Sequence, residues 1–316
     1  MKRILITGAL GQIGSELVVK LNEIYGEENV FPTDIRKVED NAICNHPNFQ
    51  ILDVLEMDRF MELAEESKAD TLIHMAALLS AVAEEKPLVA WHINMQGLVN
   101  ALEVAREHKL QFFTPSSIGA FGPDTPKVGT PQDTIQRPTT MYGVTKVAGE
   151  LLCDYYYTRF GVDTRGVRFP GLISYVTPPG GGTTDYAVQI YYDAITDGKY
   201  VCNIPQGVKM DMMYMPDAIQ AIIDLMEADA SKLVHRNAFN ISGMSFEPEE
   251  IAASIKKVMP EFEMTYDVNP TLERIANSWP DELDTSAARE EWNFKTEYDL
   301  DKMTVDMIEK LSAKLK

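Results

Sequence analysis

The sequence has few cysteines and no clustered metal-ligand residues. Its three cysteines, Cys44, Cys153 and Cys202, are odd in number and widely separated. Such a set is typical of reduced thiols in a cytoplasm rather than of a disulfide framework. No group of Cys, His and carboxylate residues has zinc-site spacing, and the five histidines are scattered. We therefore expect no metal site and interpret the histidines as structural or surface residues.

Long apolar runs and an excess of basic charge are also absent from the sequence. No run is long enough to span a bilayer, and we expect no secretory segment because Met1 is followed almost at once by a strand-like run. Acidic residues outnumber basic ones by 48 to 29 among 316 residues, which gives a formal net charge of −19. Such a surface repels phosphate backbones and anionic lipids. The composition predicts a cytoplasmic globular protein with neither nucleic acid nor membrane as a partner.

The first half of the sequence alternates short apolar runs with helical periods. This alternation predicts an α/β fold in which a doubly wound parallel sheet carries helices on both faces. The predicted strands cover residues 3–6, 30–34, 49–53, 71–75, 111–116 and 164–169. The predicted helices cover residues 13–25, 58–67, 88–108, 142–160, 186–197, 216–227 and 301–315.

A glycine-rich turn joins the first predicted strand to the first predicted helix. Gly8, Gly11 and Gly14 have the spacing Gly-x-x-Gly-x-x-Gly. The first permits a tight turn, the second lets backbone approach a pyrophosphate, and the third lets the helix pack on the strand. The pyrophosphate would meet the amide groups at the start of the helix, around Gln12 and Ile13. This context predicts a Rossmann dinucleotide-binding domain.

An acidic residue, Asp34, ends the second predicted strand. Its carboxylate can bind ribose hydroxyls and would repel a 2′-phosphate, so NAD is predicted rather than NADP. Arg36 is a further cofactor candidate, because Arg36 and Lys37 could serve a phosphate if they turned inward, but we expect both side chains to be solvated. Asp53 and Val54, which follow the third strand, are expected near the adenine; the alternative is that they form an ordinary turn at a strand end.

A phenol and an ammonium group lie four residues apart in Tyr142 and Lys146, on one face of a predicted helix. The cation stabilises the phenolate, so Tyr142 can take the proton of an alcohol while the hydride leaves for a nicotinamide. Ser116 and Ser117 end the fifth predicted strand at the carboxyl edge of the sheet, where ligands of such folds bind. We therefore predict a hydride-transfer enzyme with these four residues as its catalytic candidates.

Together these motifs resemble the extended short-chain dehydrogenase/reductase family, whose members include nucleotide-sugar epimerases and dehydratases. Two further stretches resemble family motifs near the cofactor and in the central helix, namely His74-Met75-Ala76-Ala77 and Asn94-Met95-Gln96-Gly97. The resemblance implies that NAD contacts Ala76, Asn94 and Pro170 in addition to Tyr142 and Lys146.

The second half of the sequence departs from the nucleotide-sugar enzymes. Those enzymes carry an arginine where this chain has Met210, so a partner for a diphosphate is missing. Residues 168–187 and 278–292 instead resemble the short-chain type of L-threonine 3-dehydrogenase. This resemblance implies metal-independent oxidation of the L-threonine β-hydroxyl to 2-amino-3-ketobutyrate with NAD. It also implies a homodimer in which helices 88–108 and 142–160 pair with their counterparts.

Binding of a zwitterionic amino acid needs hydrogen-bond donors for its carboxylate and an acceptor for its ammonium group. The candidate donors are Ser80, Thr183, Thr184 and the backbone amides of the glycine run 180–182. The candidate acceptor is Asp185 or a backbone carbonyl. Ser116 and Tyr142 are expected to hold the hydroxyl. Trp279 either caps the substrate or fills the core.

The loop composition and the function leave alternatives open. We expect a dinucleotide-binding domain over 1–170, with segments near 210–240 returning to it, and a smaller substrate-binding domain over 171–316. The run Gly180–Gly182 is either a flexible connector or a lid over the substrate. The alternative functions are a nucleotide-sugar epimerase or dehydratase and a catalytically idle NAD(H) sensor or scaffold. Retention of the proton-transfer residues argues against the idle protein.

Overall fold

The computed structural model describes residues 1–179 and 183–315. The glycine run 180–182, interpreted above as a connector or a lid, lies outside these residues. The chain divides into two compact units of three segments each. Unit 1 comprises Met1–Ala120, Thr139–Arg168 and Ala221–Phe239, and unit 2 comprises Phe121–Pro138, Phe169–Gln220 and Asn240–Lys316.

Fourteen strands are present in the described residues. In chain order they are β1 Ile4–Thr7, β2 Val30–Asp34, β3 Gln50–Ile51, β4 Thr71–His74, β5 Gln111–Phe113, β6 Ser116–Ser117, β7 Thr164–Arg165, β8 Val167–Phe169, β9 Gly171–Ile173, β10 Lys199–Cys202, β11 Met210–Tyr214, β12 Phe239–Asn240, β13 Met244–Phe246 and β14 Glu263–Tyr266.

Twelve α-helices are present in the same residues. They are α1 Gln12–Tyr25, α2 Met57–Ser67, α3 Ser80–Glu85, α4 Pro87–Trp91, α5 Gly97–His108, α6 Met141–Phe160, α7 Tyr186–Thr196, α8 Met215–Glu227, α9 Pro248–Val258, α10 Pro270–Ala276, α11 Ser286–Trp292 and α12 Leu300–Lys314. Within the described chain, no helix is both long enough and apolar enough to cross a membrane.

A six-stranded parallel sheet forms the centre of unit 1, in the order β3-β2-β1-β4-β5-β7. The central strand β1 pairs in parallel with β2 and with β4, so Thr7 lies between Thr33 and His74 at the carboxyl edge. The predicted α/β class and its Rossmann-type parallel sheet are confirmed. In such sheets the ligand crevice lies outside the carboxyl ends, where the strand order reverses on the two sides of β1.

Some predicted elements end or divide differently in the structure. The strand predicted over 111–116 ends at Phe113, and the proline at 115 has no N–H for a ladder. The strand predicted over 164–169 divides at Gly166, where a Cβ would lie 2.5 Å from the carbonyl oxygen of Thr114. The helix predicted over 88–108 is interrupted by a π-helical turn, His92–Gln96. The strand predicted over 49–53 shortens to β3.

The core of unit 1 follows from helical periodicity. In α2 the buried residues Phe60, Leu63, Ala64 and Ser67 recur with spacings of three and four, which places them on one face. That face packs with Leu5 of β1 and with residues of other elements into a single apolar cluster that includes Leu72, Leu102, Phe112 and Cys153. Burying side chains of this size contributes about 1.5–3 kcal/mol each. The sheet is therefore held rigidly beneath the residues at its carboxyl edge.

Unit 2 has a separate core and smaller sheets. Strands β13, β11 and β9 form one sheet with β11 in the centre, and β10 pairs with β14 in another. Its apolar cluster contains Tyr186 and Tyr191 of α7, Met212 of β11 and Met307 of α12.

Candidate active site

The glycine turn after β1 is as tight as the sequence predicts. Gly8 has φ +70°, and a Cβ on it would lie 2.7 Å from the backbone nitrogen of Ala76. A Cβ on Gly14 would lie 2.4 Å from the carbonyl oxygen of Gly8. Gly11 donates its N–H to that same carbonyl at 3.1 Å and is the N-cap of α1. The lack of side chains leaves a backbone cradle at a helix N-terminus, which fits a pyrophosphate group.

Two further cofactor candidates, Gln12 and Ile13, form the first turn of α1. Both are half-buried. The first N–H groups of a helix have no partner within the helix, so this turn can donate to an anion. The contact of these two residues with a pyrophosphate stays a prediction.

Asp34 ends β2 directly beside the glycine turn. One oxygen of its carboxylate accepts the N–H of Leu10 at 3.0 Å, and the other accepts that of Arg36 at 3.4 Å. Asp34 is 9% exposed, whereas the side chain of Arg36 lies on the surface. The two backbone N–H groups hold the Asp34 carboxylate beside the glycine turn, where it can bind the hydroxyls of a ribose. The exposed Arg36 cation lies outside this crevice.

Asp53 and Val54 form a turn after β3. The Asp53 carboxylate accepts the N–H of Leu55 at 3.0 Å. Val54 is buried, and its carbonyl accepts the side-chain amide of Asn100 at 2.9 Å. The polar groups of this turn are therefore bonded within the turn or to α5.

A cleft with a volume of about 40 Å³ lies within unit 1 at the carboxyl edge of the sheet. Its walls are the ends of β4 and β5, the segments that follow them, and one face of α6. Predicted site residues on the walls are Ala76, Asn94, Ser116 and Lys146. Other lining residues include His74, Glu150, Cys153 and Asn237. Ala76 borders both the cleft and the glycine turn.

Asn94 fastens the segment after β4 to α6. Its side-chain oxygen accepts the N–H of Leu78 at 2.8 Å, and its amide donates to the Leu78 carbonyl at 3.1 Å. The same amide donates to Thr145 Oγ1 at 3.3 Å, and Thr145 precedes Lys146 on α6. The π-helical turn that carries Asn94 thus sets the position of two walls of the cleft.

Helix α6 places Tyr142 and Lys146 on successive turns. The helix begins where Thr140 Oγ1 accepts the N–H of Gly143 at 3.1 Å. Lys146 Nζ lies 5.3 Å from the centre of the Tyr142 ring and donates to the carbonyl of Pro115 at 2.6 Å. The cation is therefore held between the phenol ring and the segment that follows β5, in agreement with the predicted pairing.

Ser117 and Tyr142 border the same space. A Cβ on Gly119 would lie 3.3 Å from the Tyr142 ring and 3.4 Å from Ser117 Oγ. The N–H of Gly119 donates to Ser117 Oγ at 3.1 Å, which leaves the hydroxyl hydrogen for another acceptor. Glycine at this position keeps room beside the phenol.

Ser116 faces a different partner from its neighbour. Its hydroxyl donates to the carboxylate of Glu150, which also pairs with the guanidinium of Arg168 at 2.8 and 3.0 Å. All three residues are buried. Sequence reasoning missed Glu150 and Arg168, although the four-residue step from Lys146 to Glu150 was a signal that could have identified the glutamate.

His74 belongs to a motif that the sequence resemblance placed near the cofactor, but it was given no role because the histidines were interpreted as structural or surface residues. It is buried at the end of β4, lines the cleft, and shares a 2.8 Å hydrogen bond with Thr7 Oγ1. Burial, together with the positive charge of Lys146, lowers the pKa of His74 to about 3. The imidazole is therefore neutral near pH 7.

The predicted substrate residues divide between the two units. Ser80 is half-buried and begins α3 in unit 1. Ser116 and Tyr142 also lie in unit 1. The remaining candidates, Thr183, Thr184, Asp185 and Trp279, lie in unit 2, as does the cofactor candidate Pro170. Pro170 and Thr183 are buried, and Trp279 is half-buried. Across 1–179 and 183–315, no three His, Cys, Asp or Glu residues are close enough to hold a metal ion.

Comparison with known proteins agrees with this geometry. The model of the NAD dependent epimerase/dehydratase family matches residues 4–242. An uncharacterized epimerase/dehydratase of Staphylococcus haemolyticus is 61% identical, over 99% of both chains. The X-ray structure of L-threonine dehydrogenase from Clostridium difficile is 66% identical with a TM-score of 0.98, covering 99% of this chain and 98% of that one.

A second similar structure is a monomeric L-threonine 3-dehydrogenase from a metagenome. It is 41% identical with a TM-score of 0.93, and the match covers 99% of this chain and all of the other. The family model matches well over half of the chain, and the glycine cradle with Asp34 suits the cofactor that the family uses. The chain therefore belongs to the NAD dependent epimerase/dehydratase family.

Proposed function

We propose that the protein oxidises the β-hydroxyl of L-threonine to 2-amino-3-ketobutyrate with NAD. The observation that carries the proposal is the placement of the Lys146 ammonium between the Tyr142 ring and the Pro115 carbonyl, with Ser117 bordering the same phenol. This arrangement suits removal of a proton from an alcohol. The similarity to L-threonine dehydrogenase structures along nearly the whole chain supports the choice of substrate.

In the proposed reaction, each residue of this group has one role. Tyr142, as the phenolate, accepts the hydroxyl proton of threonine. The ammonium of Lys146 stabilises the negative charge on the phenol oxygen before the transfer. Ser117 donates its hydroxyl hydrogen to the substrate oxygen and keeps that oxygen beside Tyr142. NAD, when bound, supplies the nicotinamide that accepts the hydride.

The neutral state of His74 favours cofactor binding in this scheme. A second cation beside Lys146 would raise the electrostatic cost of holding the oxidised nicotinamide, which is itself positive. The pKa of His74, about 3, keeps the imidazole uncharged at working pH. We assign His74 the role of a neutral wall of the cleft.

The second candidate is a nucleotide-sugar epimerase or dehydratase, which the description of the family favours. Against it stands Met210, at the position where the resemblance places an arginine. Met210 is only 2% exposed within β11 and belongs to the apolar core of unit 2. A buried thioether provides no charge for a diphosphate.

A substrate panel tests the proposal directly. NADH formation is followed with L-threonine, L-allo-threonine, L-serine and two UDP-hexoses, and the expected highest kcat/KM is that for L-threonine. Conversion of a UDP-hexose without net NADH release would establish the epimerase instead. NAD binding without turnover of any compound would establish the idle sensor.

We also propose that the protein is a homodimer built on α4 and α6. Large apolar side chains stand exposed on both helices: Leu88 79% and Val89 48% on α4, and Leu151 63% and Tyr155 53% on α6. Exposed apolar side chains clustered in this way are typical of an interface. Light scattering at micromolar concentration should show a dimer that Leu151→Glu dissociates, whereas Val201→Glu at an exposed site of unit 2 should not. A monomeric wild type, as in the metagenome relative, would reject the dimer.

A further inference from the structure

We propose that Ser116 and Glu150 are positioning residues that lock the Pro115–Ser117 segment onto α6, so that Lys146 and Ser117 are aligned with Tyr142. The inference rests on the proposed dehydrogenation, and it assigns Ser116 a role different from that of a substrate-binding hydroxyl. It also gives a function to the buried ion pair between Glu150 and Arg168.

The first argument is the spacing along α6. Tyr142, Lys146 and Glu150 follow one another at steps of four residues, so they form one stripe on the helix. Lys146 holds the carbonyl of Pro115, and Glu150 holds the hydroxyl of Ser116. Two consecutive residues after β5 are therefore bound by two consecutive turns of the helix.

The second argument is the burial of the ion pair. The side chains of Glu150 and Arg168 are each 7% exposed. Arg168 donates through Nε to one carboxylate oxygen and through its terminal nitrogen to the other, and Ser116 donates to the first oxygen as well. A buried carboxylate is tolerated when such donors satisfy it, and a bidentate guanidinium pair has little rotational freedom. Glu150 is thus a fixed anchor rather than a flexible surface acid.

The third argument is the position of Ser116 in the chain. It lies between Pro115, whose carbonyl fixes the Lys146 ammonium, and Ser117, whose Oγ borders the Tyr142 ring. Backbone freedom at Ser116 would therefore move both groups at once. Since small displacements of reacting groups can change rates about 10²-fold, anchoring this residue has a direct catalytic consequence.

The test variant is Ser116→Ala, which removes the anchoring hydroxyl and leaves the ion pair intact. The matched control is Ser254→Ala in unit 2, because Ser254 is also a buried serine and donates to the Asp301 carboxylate at 2.7 Å. We expect Ser116→Ala to lower kcat for L-threonine by about 10- to 100-fold. KM for L-threonine and Kd for NAD should stay within about threefold of wild type, and the control should keep its kcat.

A second readout does not depend on turnover. Hydrogen exchange of the protein without cofactor, followed by mass spectrometry on peptides covering 111–121, should become faster in Ser116→Ala and stay unchanged in Ser254→Ala. Ser116→Thr keeps the hydroxyl and should restore slow exchange and most of kcat. Glu150→Gln should accelerate hydrogen exchange in the same peptides. If that variant fails to fold, the Ser116→Ala and Ser116→Thr variants alone decide.

The outcomes separate this inference from the proposed function. A wild type that exchanges slowly at 111–121 but does not oxidise L-threonine rejects the proposed function, and the exchange of Ser116→Ala still tests the anchor. Unchanged exchange in Ser116→Ala overturns the anchor. An active wild type whose Ser116→Ala variant exchanges faster but keeps kcat within about threefold overturns the catalytic consequence.

Discussion

The two units of this protein bury carboxylates in opposite ways. In unit 1, Glu150 is buried against the guanidinium of Arg168 and accepts the hydroxyl of Ser116. In unit 2, the donors that the structure shows reaching Asp211 are neutral: Ser242 Oγ at 2.5 Å and the Leu283 N–H at 2.8 Å, with the N–H of Met212. Burial raises the pKa of Asp211 to about 8.

The comparison shows that a cation holds the buried carboxylate of unit 1, whereas neutral groups hold that of unit 2. A buried carboxylate that accepts a bidentate guanidinium has little rotational freedom, and it can anchor a site that must keep one geometry. A buried carboxylate with neutral donors binds a proton near neutrality and makes the stability of its surroundings sensitive to pH. We therefore expect activity changes from unit 1 variants and pH-dependent stability from unit 2.

The largest effect should come from Tyr142→Phe, which tests whether the polar groups of unit 1 serve catalysis. The substitution removes one oxygen and keeps the ring, so packing of α6 should hardly change. We expect kcat for L-threonine to fall by about 10²–10⁴-fold, the usual contribution of a general base, with NAD affinity preserved. Tyr157→Phe, at an exposed position of the same helix, is the control. Retention of more than about a tenth of wild-type kcat would exclude Tyr142 as the proton acceptor.

The second effect concerns Asp211 and tests whether the buried carboxylate of unit 2 makes stability depend on pH. Its folded pKa lies above the value near 3.9 of an unfolded aspartate. Between about pH 4 and pH 8 the folded state therefore holds a proton that the unfolded state has lost, and stability falls as pH rises through this window. Asp211→Asn should remove this pH dependence. We expect the free energy of unfolding of the wild type to change by a few kcal/mol across the window as a result of Asp211.

Urea unfolding at several pH values between 4 and 9 measures this slope. Glu261→Gln, which removes an exposed carboxylate of unit 2, should keep the wild-type slope. Equal slopes in wild type and Asp211→Asn would mean that Asp211 is ionised in the folded protein. The contrast between the units would then be lost.

The third effect concerns the cofactor preference set by Asp34. Replacing it by serine removes the ribose acceptor and the repulsion of a 2′-phosphate, so the ratio of kcat/KM for NAD over NADP should fall about 10- to 100-fold. Steady-state kinetics with both cofactors measure the ratio. Glu39→Gln, an exposed charge in the following loop, is the control for net charge. Equal wild-type efficiency with both cofactors would show that Arg36 and its neighbour govern the pocket.

The smallest effect is expected from removing the N-cap of one helix in each unit. Thr140 accepts the N–H of Gly143 at the start of α6, and Asp299 accepts that of Lys302 at the start of α12. Replacing either residue by alanine should reduce stability by about 1 kcal/mol. Only Thr140→Ala should also lower kcat, because α6 carries Tyr142. Thermal unfolding and kinetics on both variants test this, and an equal loss of kcat in both would remove the distinction.

The sequence by itself determined the features that depend on local spacing. The alternation of apolar runs predicted the parallel sheet, and the glycine spacing predicted the turn in which Gly8 and Gly14 leave no room for a Cβ. The four-residue step predicted that Tyr142 and Lys146 share a helix face. These patterns are visible because helix and strand periods repeat within a few residues.

Only the tertiary structure decided the features that depend on residues far apart in the chain. Ser116 and Ser117 are adjacent and chemically identical. The hydroxyl of Ser116 donates to Glu150, which lies 34 residues later in the chain, whereas Ser117 lies beside Tyr142. The protonation of His74 likewise depends on burial and on Lys146, which no local pattern encodes. A hydrogen bond or a desolvation effect between distant residues exists only after the sheet and helices have packed, because packing is what brings these groups together and excludes water from them.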